Sequence, residues 1–327
     1  MRTASPPDDV APVSRESRTV GVRAGDRAFK GLAAGAGITV LVIMGAIGAF
    51  LVWKSIPSLQ ANSANFFTST DWFPEDKPPT FGIAALLFGT AISASIAMLL
   101  AVPVGIGIAL FIAFYAPRPV AAALAFVTDL LAAVPSIIFG LWGLAVLMPN
   151  MEGTARWLDE YLGWIPLFQN DLNIYTKSLF IAGVVLAIMV LPTVSAVSRE
   201  VFVQVPREHI EGALALGATR WEMVRMAVFP FARPGMISAA MLGLGRALGE
   251  TIAVALILSA AFTINWHITE PGGNSFAANI ALKWNEAGPI GLSALIASGL
   301  VLFVITLAVN MVARWIVARR AEFSGAN

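Results

Sequence analysis

Residues 83–117 read IAALLFGTAISASIAMLLAVPVGIGIALFIAFYAP, a run without a single charged residue. An apolar run of about 20 residues is long enough to cross a lipid bilayer as a helix. This run is longer than one crossing needs, and Pro103 would either kink one helix or separate two. We predict one long, tilted or bent helix, because two crossings would reverse the orientation of everything downstream and conflict with the distribution of basic residues.

The whole chain has the same apolar character. Of its 327 residues, 57% are hydrophobic and 13% are charged, with a net charge of +1, whereas a soluble domain has roughly 25% charged residues. These values exclude an ordinary soluble globule, a largely disordered chain and a basic nucleic-acid-binding protein. We predict an all-α polytopic membrane protein with six transmembrane helices. Besides the run above, the predicted spans are 31–53, about 120–148, about 178–198, about 234–262 and about 290–313.

The basic residues are divided unequally between the two sides of this predicted topology. Fifteen Lys and Arg residues fall on the side of the termini and of residues 199–233, and five fall on the other side. The positive-inside rule therefore predicts a plasma-membrane protein with both termini in the cytoplasm. Residues 1–30, rich in Pro, Ser, Asp and Arg, are then predicted to be a flexible cytoplasmic tail, and residues 316–327 a second cytoplasmic tail. Five tryptophans lie in the external loops, where they form either an interfacial aromatic belt or a docking surface: Trp72, Trp157, Trp164, Trp266 and Trp284.

Sequence motifs for catalysis and for metal binding are absent. The chain has no Cys and no G-x-x-x-x-G-K-[ST] phosphate-binding loop. Its two histidines, His209 and His267, fall on opposite sides of the membrane, so they cannot share a metal, and we interpret each as an ordinary polar surface residue. The sequence indicates part of a channel or transporter and not an enzyme.

The most informative polar stretch is the predicted cytoplasmic segment 199–233. Pro206 suits a helix start and Gly217 suits the left-handed residue that closes a helix. Thr219 and Glu222 form a T-x-x-E capping box that opens a second helix, which we expect to stop before Pro230. The segment is therefore either a protruding helix pair with a glycine turn or a plain amphipathic loop on the lipid headgroups.

Two charged residues interrupt the fifth predicted span. Arg246 and Glu250 are four apart and are expected to share one helix face. Arg246 lies ~18 Å along the helix from Pro234, which places it near the middle of the bilayer. Inserting an arginine at that depth costs about 2.5–3.5 kcal/mol, so its side chain needs a partner, a water-filled cavity or an anionic ligand. The pair is either a structural ion pair or part of a solute pathway that recognises phosphate or carboxylate oxygens. Asp129 in the third span is a weaker candidate, either near a helix start or paired with Arg246.

Several of these motifs resemble one family. Glu211, Gly212 and Ala213, with Gly217 four residues later, are similar to the E-A-A-x-x-x-G loop of ABC importer permeases, although Gly212 replaces the usual alanine. The stretch GLGRALGET at 243–251 resembles the fifth-span signature of phosphate-specific permeases of the PstC type. AAVPSIIFGLWG at 132–143 agrees with the same family.

The resemblance implies a type I ABC importer permease-like bundle over residues 80–315. It implies that Glu211, Gly212, Ala213 and Gly217 couple to a separate ATPase, and that Arg246 and Glu250 act in phosphate passage. It implies four kinds of partner: a PstA-type second permease, a PstB-type ATPase dimer, an extracytoplasmic PstS-type phosphate-binding protein and membrane lipid. ATP and magnesium would be bound by the ATPase, with no cofactor in this chain.

Four alternatives remain open at this stage. The chain could be a permease for another oxyanion such as sulfate or molybdate, or the companion PstA-type permease. It could also be a secondary transporter that works alone on an ion gradient. The last alternative is a membrane scaffold or sensor, in which neither Arg246 nor the cytoplasmic segment would matter for flux.

Overall fold

The structure is a computed structural model that describes residues 24–321. The predicted tails therefore lie partly outside the described residues, which begin at residue 24 and end at residue 321. The helices inside those limits extend further than predicted, because the first begins at Ala24 and the last ends at Ala321. Contacts divide the chain into a unit that ends at Ala49 and a unit that begins at Phe50. The described part of the first unit is a single apolar helical segment.

The described residues are helical apart from loops and one two-stranded antiparallel hairpin, β1 (Trp72–Phe73) and β2 (Thr80–Phe81). The helices are α1 (Ala24–Ala61), α2 (Ala84–Leu110), α3 (Arg118–Ala132), α4 (Ser136–Trp142), α5 (Met148–Leu162), α6 (Leu179–Val203), α7 (Arg207–Ala215), α8 (Arg220–Met223), α9 (Phe229–Leu248), α10 (Ile252–Ile257), α11 (Phe276–Lys283) and α12 (Pro289–Ala321).

Within residues 24–321, six helical segments are long and apolar enough to cross a membrane, which confirms the predicted all-α architecture with six spans. They are Ala28–Ala61, Ala84–Tyr115, Ser136–Leu162, Leu179–Val203, Arg220–Leu248 and Pro289–Arg319. The second run is one helix, as predicted, with Pro103 inside it and a π-helical turn over Phe111–Tyr115 at its end.

The predicted position of the third span is wrong. Residues 120–148 do not form one helix, because α3 ends at Ala132 and Pro135 caps the start of α4. The residue before a proline is disfavoured in helical conformation, so Val134 marks the break. A π-helical turn over Gly143–Leu147 then joins α4 to α5, and Ser136–Leu162 is the segment long enough to span.

The fifth span also begins and ends earlier than predicted. The second helix of the segment 199–233 does not stop before Pro230, because α8 passes through a π-helical turn at Val224–Val228 directly into α9. A proline removes one backbone donor, and a π turn immediately before it lets the helix continue around the missing bond. At the other end the helix stops at Leu248 and does not reach residue 262.

The core of the larger unit lies where α2 and α9 pack along α6. Small side chains on one face of α2, at Ala94, Ala97 and Ala101, are buried in this core. Small residues let helices approach closely, and van der Waals packing drives helix association in lipid. A second cluster on the hairpin side buries Trp72, which stacks on Phe262 with ring centroids 5.8 Å apart. Trp72 is therefore a core residue, whereas the other four tryptophans of the predicted external loops are exposed.

Candidate functional site

The segment 199–233, which the sequence predicts to be cytoplasmic, contains the predicted pair of helices joined by a glycine turn. Pro206 caps the start of α7, and Gly217 adopts a left-handed φ of +86° after its end. The amide of Gly217 donates to Leu214 (3.0 Å) and that of Ala218 donates to Ala213 (3.2 Å), which closes the helix. A left-handed residue after the last helical turn is the conformation that glycine adopts without steric cost.

The capping box predicted at the start of α8 is confirmed. Thr219 Oγ1 accepts a hydrogen bond from the Glu222 amide (3.3 Å), and Glu222 Oε2 accepts one from the Thr219 amide (2.8 Å). These two bonds satisfy donors that a helix start otherwise leaves unpaired. Local sequence signals therefore fix the turn after α7 and the start of α8.

The helix pair is exposed at its tip and anchored at its base. None of the residues in α7 is buried, and Glu211, Gly212 and Gly217 are exposed. Ile210 and Ala213 pack on a small cluster that includes Phe202 and Val224. The tip presents Leu216, which is 91% exposed, and Trp221, which is 55% exposed. An anchored element that exposes large apolar side chains is suited to docking on a partner.

Arg246 is half-buried in the last turn of α9. Its Nη1 donates to Thr193 Oγ1 on α6 at 3.1 Å. Among the described residues, no carboxylate oxygen lies within 4.0 Å of the Arg246 guanidinium. The predicted structural ion pair with Glu250 is therefore absent from residues 24–321, and most of the Arg246 donors are left for another acceptor.

The prediction that Arg246 and Glu250 share one helix face is wrong. The helix ends at Leu248 with Gly249 as its cap, and Glu250 lies beyond it. The buried Glu250 side chain, 8% exposed, uses Oε1 to accept a hydrogen bond from the Ala253 amide (3.2 Å) at the start of α10. The Glu250 carboxylate therefore stabilises the break between α9 and α10. It does not pair with the Arg246 guanidinium.

Close packing at this break involves another helix. A Cβ added to Gly140 of α4 would lie 2.7 Å from the Cα of Ala253 in α10. The position of α10 therefore depends on a residue more than a hundred positions earlier in the chain. The four-residue spacing of Arg246 and Glu250 predicts a helix that continues through Glu250. The observed helix ends at Leu248, and the contact that fixes the position of α10 comes from a distant part of the chain.

Asp129 neither pairs with Arg246 nor lies near a helix start. It lies near the end of α3, and its two carboxylate oxygens accept from Nη2 of Arg199 at 3.3 and 3.2 Å. Arg199 also contacts Glu200 at 3.2 Å. The Asp129 side chain is 52% exposed and that of Arg199 is 15% exposed, so Asp129 supplies acceptors to a mostly buried guanidinium.

A cavity of about 560 Å³ lies between α9 and α12, with Arg246 in its wall. Most of its lining is apolar or glycine, and its polar side chains are Ser238 and Arg246 on α9 and Asn310 and Arg314 on α12. Sequence reasoning used Arg314 only as one of the charges that orient the chain. Asn310 and Arg314 are four residues apart and therefore share one face of a helix, and this spacing could have indicated a polar site on the sixth span.

On the opposite side of the membrane in the predicted topology, polar side chains hold two loops together. Glu270 is buried and accepts from the Asp171 amide (2.9 Å) and from Asn265, and His267 Nδ1 lies 3.4 Å from it. Sequence reasoning treated His267 as an ordinary surface residue, but it is half-buried in this contact. Nearby, burial and a hydrogen bond donated to Asp159 (2.7 Å) raise the pKa of Tyr175.

Comparison with known proteins identifies relatives over nearly the whole chain. The sequence pattern of the family described as "Binding-protein-dependent transport system inner membrane component" matches residues 101–322. Phosphate transport system permease protein PstC 2 of Mycobacterium tuberculosis is 49% identical over 297 residues, which cover 89% of this chain and 91% of that protein.

Two further relatives have related names. Phosphate transport system permease protein PstC of Mycobacterium leprae is 49% identical, with 84% of this chain and 87% of that protein covered. The protein of the same name in Xylella fastidiosa (strain 9a5c) is 40% identical, with 92% and 93% covered. The resemblance seen in the sequence motifs is thereby confirmed.

Proposed function

This chain belongs to the family of binding-protein-dependent transport system inner membrane components, and we propose that it is a permease subunit of an ATP-driven importer of inorganic phosphate. It is a multi-pass membrane protein with six spanning helices. The names of its relatives support phosphate as the transported solute.

The observation that carries the proposal is the state of Arg246. A half-buried guanidinium in a membrane-spanning helix, bonded to one threonine and to none of the described carboxylates, retains several donors in a fork that matches phosphate oxygens. A bound oxyanion would complete the hydrogen bonding of this group and neutralise its charge. Glu250, held at the helix break, positions the end of the helix that carries Arg246.

Energy for transport would enter through the exposed helix pair at 207–223. The chain contains no phosphate-binding loop of the ATPase type, so ATP and magnesium would be bound by a partner PstB-type ATPase dimer. Glu211, Gly212, Ala213 and Gly217 would form the surface that docks on this ATPase. The exposed Leu216 at the tip supports that assignment.

The remaining partners follow from the same proposal. A PstA-type permease would form the other half of the translocation path, and a PstS-type protein would deliver phosphate on the external side. Both termini and the segment 199–233 would be cytoplasmic, in agreement with the distribution of basic residues.

The test is uptake of labelled phosphate by cells that carry the Arg246→Gln variant in an otherwise complete importer. Losing charge-assisted hydrogen bonds of about 1.5–3 kcal/mol corresponds to a decrease in uptake of about tenfold or more. Arg225→Gln is the matched control, because Arg225 is exposed and does not line the cavity. Normal uptake by an Arg246→Gln subunit that is present in the membrane at the usual level would remove Arg246 from the mechanism.

Two other experiments address the alternatives. Competition by unlabelled sulfate or molybdate that exceeds competition by phosphate would identify another oxyanion as the solute. Uphill transport by this chain alone in vesicles without nucleotide would instead identify a secondary transporter.

A further inference from the structure

The cavity between α9 and α12 contains a second arginine that the proposed function does not use. Arg246 and Arg314 both line it, together with Ser238 and Asn310, and none of the described acidic side chains does. Neither arginine forms an ion pair with a carboxylate among residues 24–321. Two cations that share one largely apolar cavity repel each other, and an anion between them relieves that repulsion.

The cavity follows the two helices along the membrane normal. As consecutive spans, α9 and α12 run in opposite directions, so its Arg246 end lies beside Asn310 and its Ser238 end lies beside Ala318. Arg314 is one turn beyond Asn310, or ~6 Å along the axis at 1.5 Å per residue. The cavity therefore leads from Arg246 past Arg314 towards the side of the cytoplasmic helix pair.

Asn310 gives this site a means of selecting among oxyanions. Its Nδ2 donates to the backbone oxygen of Thr306 at 2.9 Å, so its Oδ1 remains as an acceptor. At neutral pH phosphate retains at least one hydroxyl that can donate a hydrogen bond, whereas sulfate has none. An acceptor beside a cation therefore favours phosphate, because a phosphate hydroxyl can donate to the acceptor, whereas the oxygens of sulfate can only repel it.

We propose that Arg314 and Asn310 form a second phosphate-binding position, between Arg246 and the cytoplasmic exit. Arg314 supplies the charge and Asn310 accepts from the phosphate hydroxyl. This inference rests on the proposed function, because it requires that the solute is an oxyanion that passes Arg246. The same chemistry would also suit the phosphate of a lipid headgroup, and the experiment separates the two sources.

The first measurement is uptake of labelled phosphate by the assembled importer with Arg314→Gln. We expect a decrease of about tenfold, the effect of losing one charge-assisted hydrogen bond. The matched control is Arg319→Gln, because Arg319 is on the same helix, packs over the Trp315 ring at 3.9 Å and does not line the cavity. Arg314→Lys keeps the charge and should retain part of the uptake, which separates loss of binding from failure to fold.

The second measurement detects the anion directly, because this subunit has no Cys of its own and any label on it reports the introduced residue. Ser238→Cys is introduced and its alkylation is measured in vesicles that hold the whole importer. We expect inorganic phosphate to slow labelling and sulfate not to do so, and Arg314→Gln to abolish the protection. Val312→Cys is the control, since Val312 is exposed outside the cavity lining.

The outcomes distinguish this inference from the proposed function. Normal uptake by Arg314→Gln together with defective uptake by Arg246→Gln would overturn only the second position. Normal uptake by both variants would overturn the proposed pathway itself. Protection of Ser238→Cys that requires phosphatidylglycerol and occurs without added phosphate would assign Arg314 to a lipid headgroup and reject the second position.

Discussion

The helical segment Arg220–Leu248 is fixed at its start by residues nearby in sequence and at its end by residues far away. At the start, Thr219 and Glu222 exchange two hydrogen bonds, and Gly217 supplies the turn. At the end, α10 packs closely on α4 across Gly140. The first end connects to the helix pair that we propose docks on an ATPase, and the second carries Arg246, which we propose binds the anion.

The difference explains where prediction from the sequence succeeds. Caps and turns are decided by side chains within a few residues, so their motifs can be recognised directly. A helix break inside an apolar run is decided by what packs against it, and the run itself looks the same whether it breaks or not. Three predictions test this contrast, and their expected effects decrease in the order given.

The largest effect is expected from Gly140→Ala. The added Cβ would lie 2.7 Å from the Cα of Ala253, so α4 and α10 must separate. Overpacking of this kind costs about 1–3 kcal/mol, and we expect a lower thermal unfolding midpoint of the purified importer together with reduced phosphate uptake. In the control Gly153→Ala, the new Cβ meets nothing within 4 Å, and removal of a helical glycine should stabilise the subunit slightly. Equal midpoints for the two variants would show that the α4–α10 contact does not hold the break.

A smaller and purely local effect is expected from Gly217→Ala. The new Cβ would meet no atom within 4 Å, but the φ of +86° is unfavourable for a residue with a side chain. The conformational cost is about 1–2 kcal/mol, so amide exchange across α7 should accelerate while the membrane spans are unaffected. Gly212→Ala is the control, because Gly212 lies inside α7 and alanine is the better helix former. Faster exchange in Gly212→Ala than in Gly217→Ala would contradict this account of the turn.

The smallest effect is expected from Thr219→Ala. Loss of an N-cap hydroxyl costs about 1 kcal/mol, so amide exchange should increase in the first turn of α8 and not in α9. Thr219→Ser keeps the hydroxyl and should restore the wild-type rate. If amide exchange also increases through α9, the cap stabilises the whole span, which would contradict the conclusion that its effect is local.

The outcome for the site residues follows the same division. Glu211, Gly212, Ala213 and Gly217 occupy the exposed helix pair that the motif predicts, although their role on an ATPase stays a prediction. Asp129 pairs with Arg199, a residue 70 positions later, which no spacing rule connects to it. Arg314 lines the same cavity as Arg246 only because α12 packs beside α9.

The sequence by itself determined the six apolar spans, the unequal distribution of basic residues and the capped helix pair, because length, charge and local hydrogen bonding are properties of short stretches. The tertiary structure alone decided where the third span begins, where the α9 helix ends and which groups face Arg246. In a chain that is apolar almost throughout, hydrophobicity does not distinguish one helix face from another. The partner of each polar group is therefore set by which helices lie side by side, and that arrangement is known only from the folded molecule.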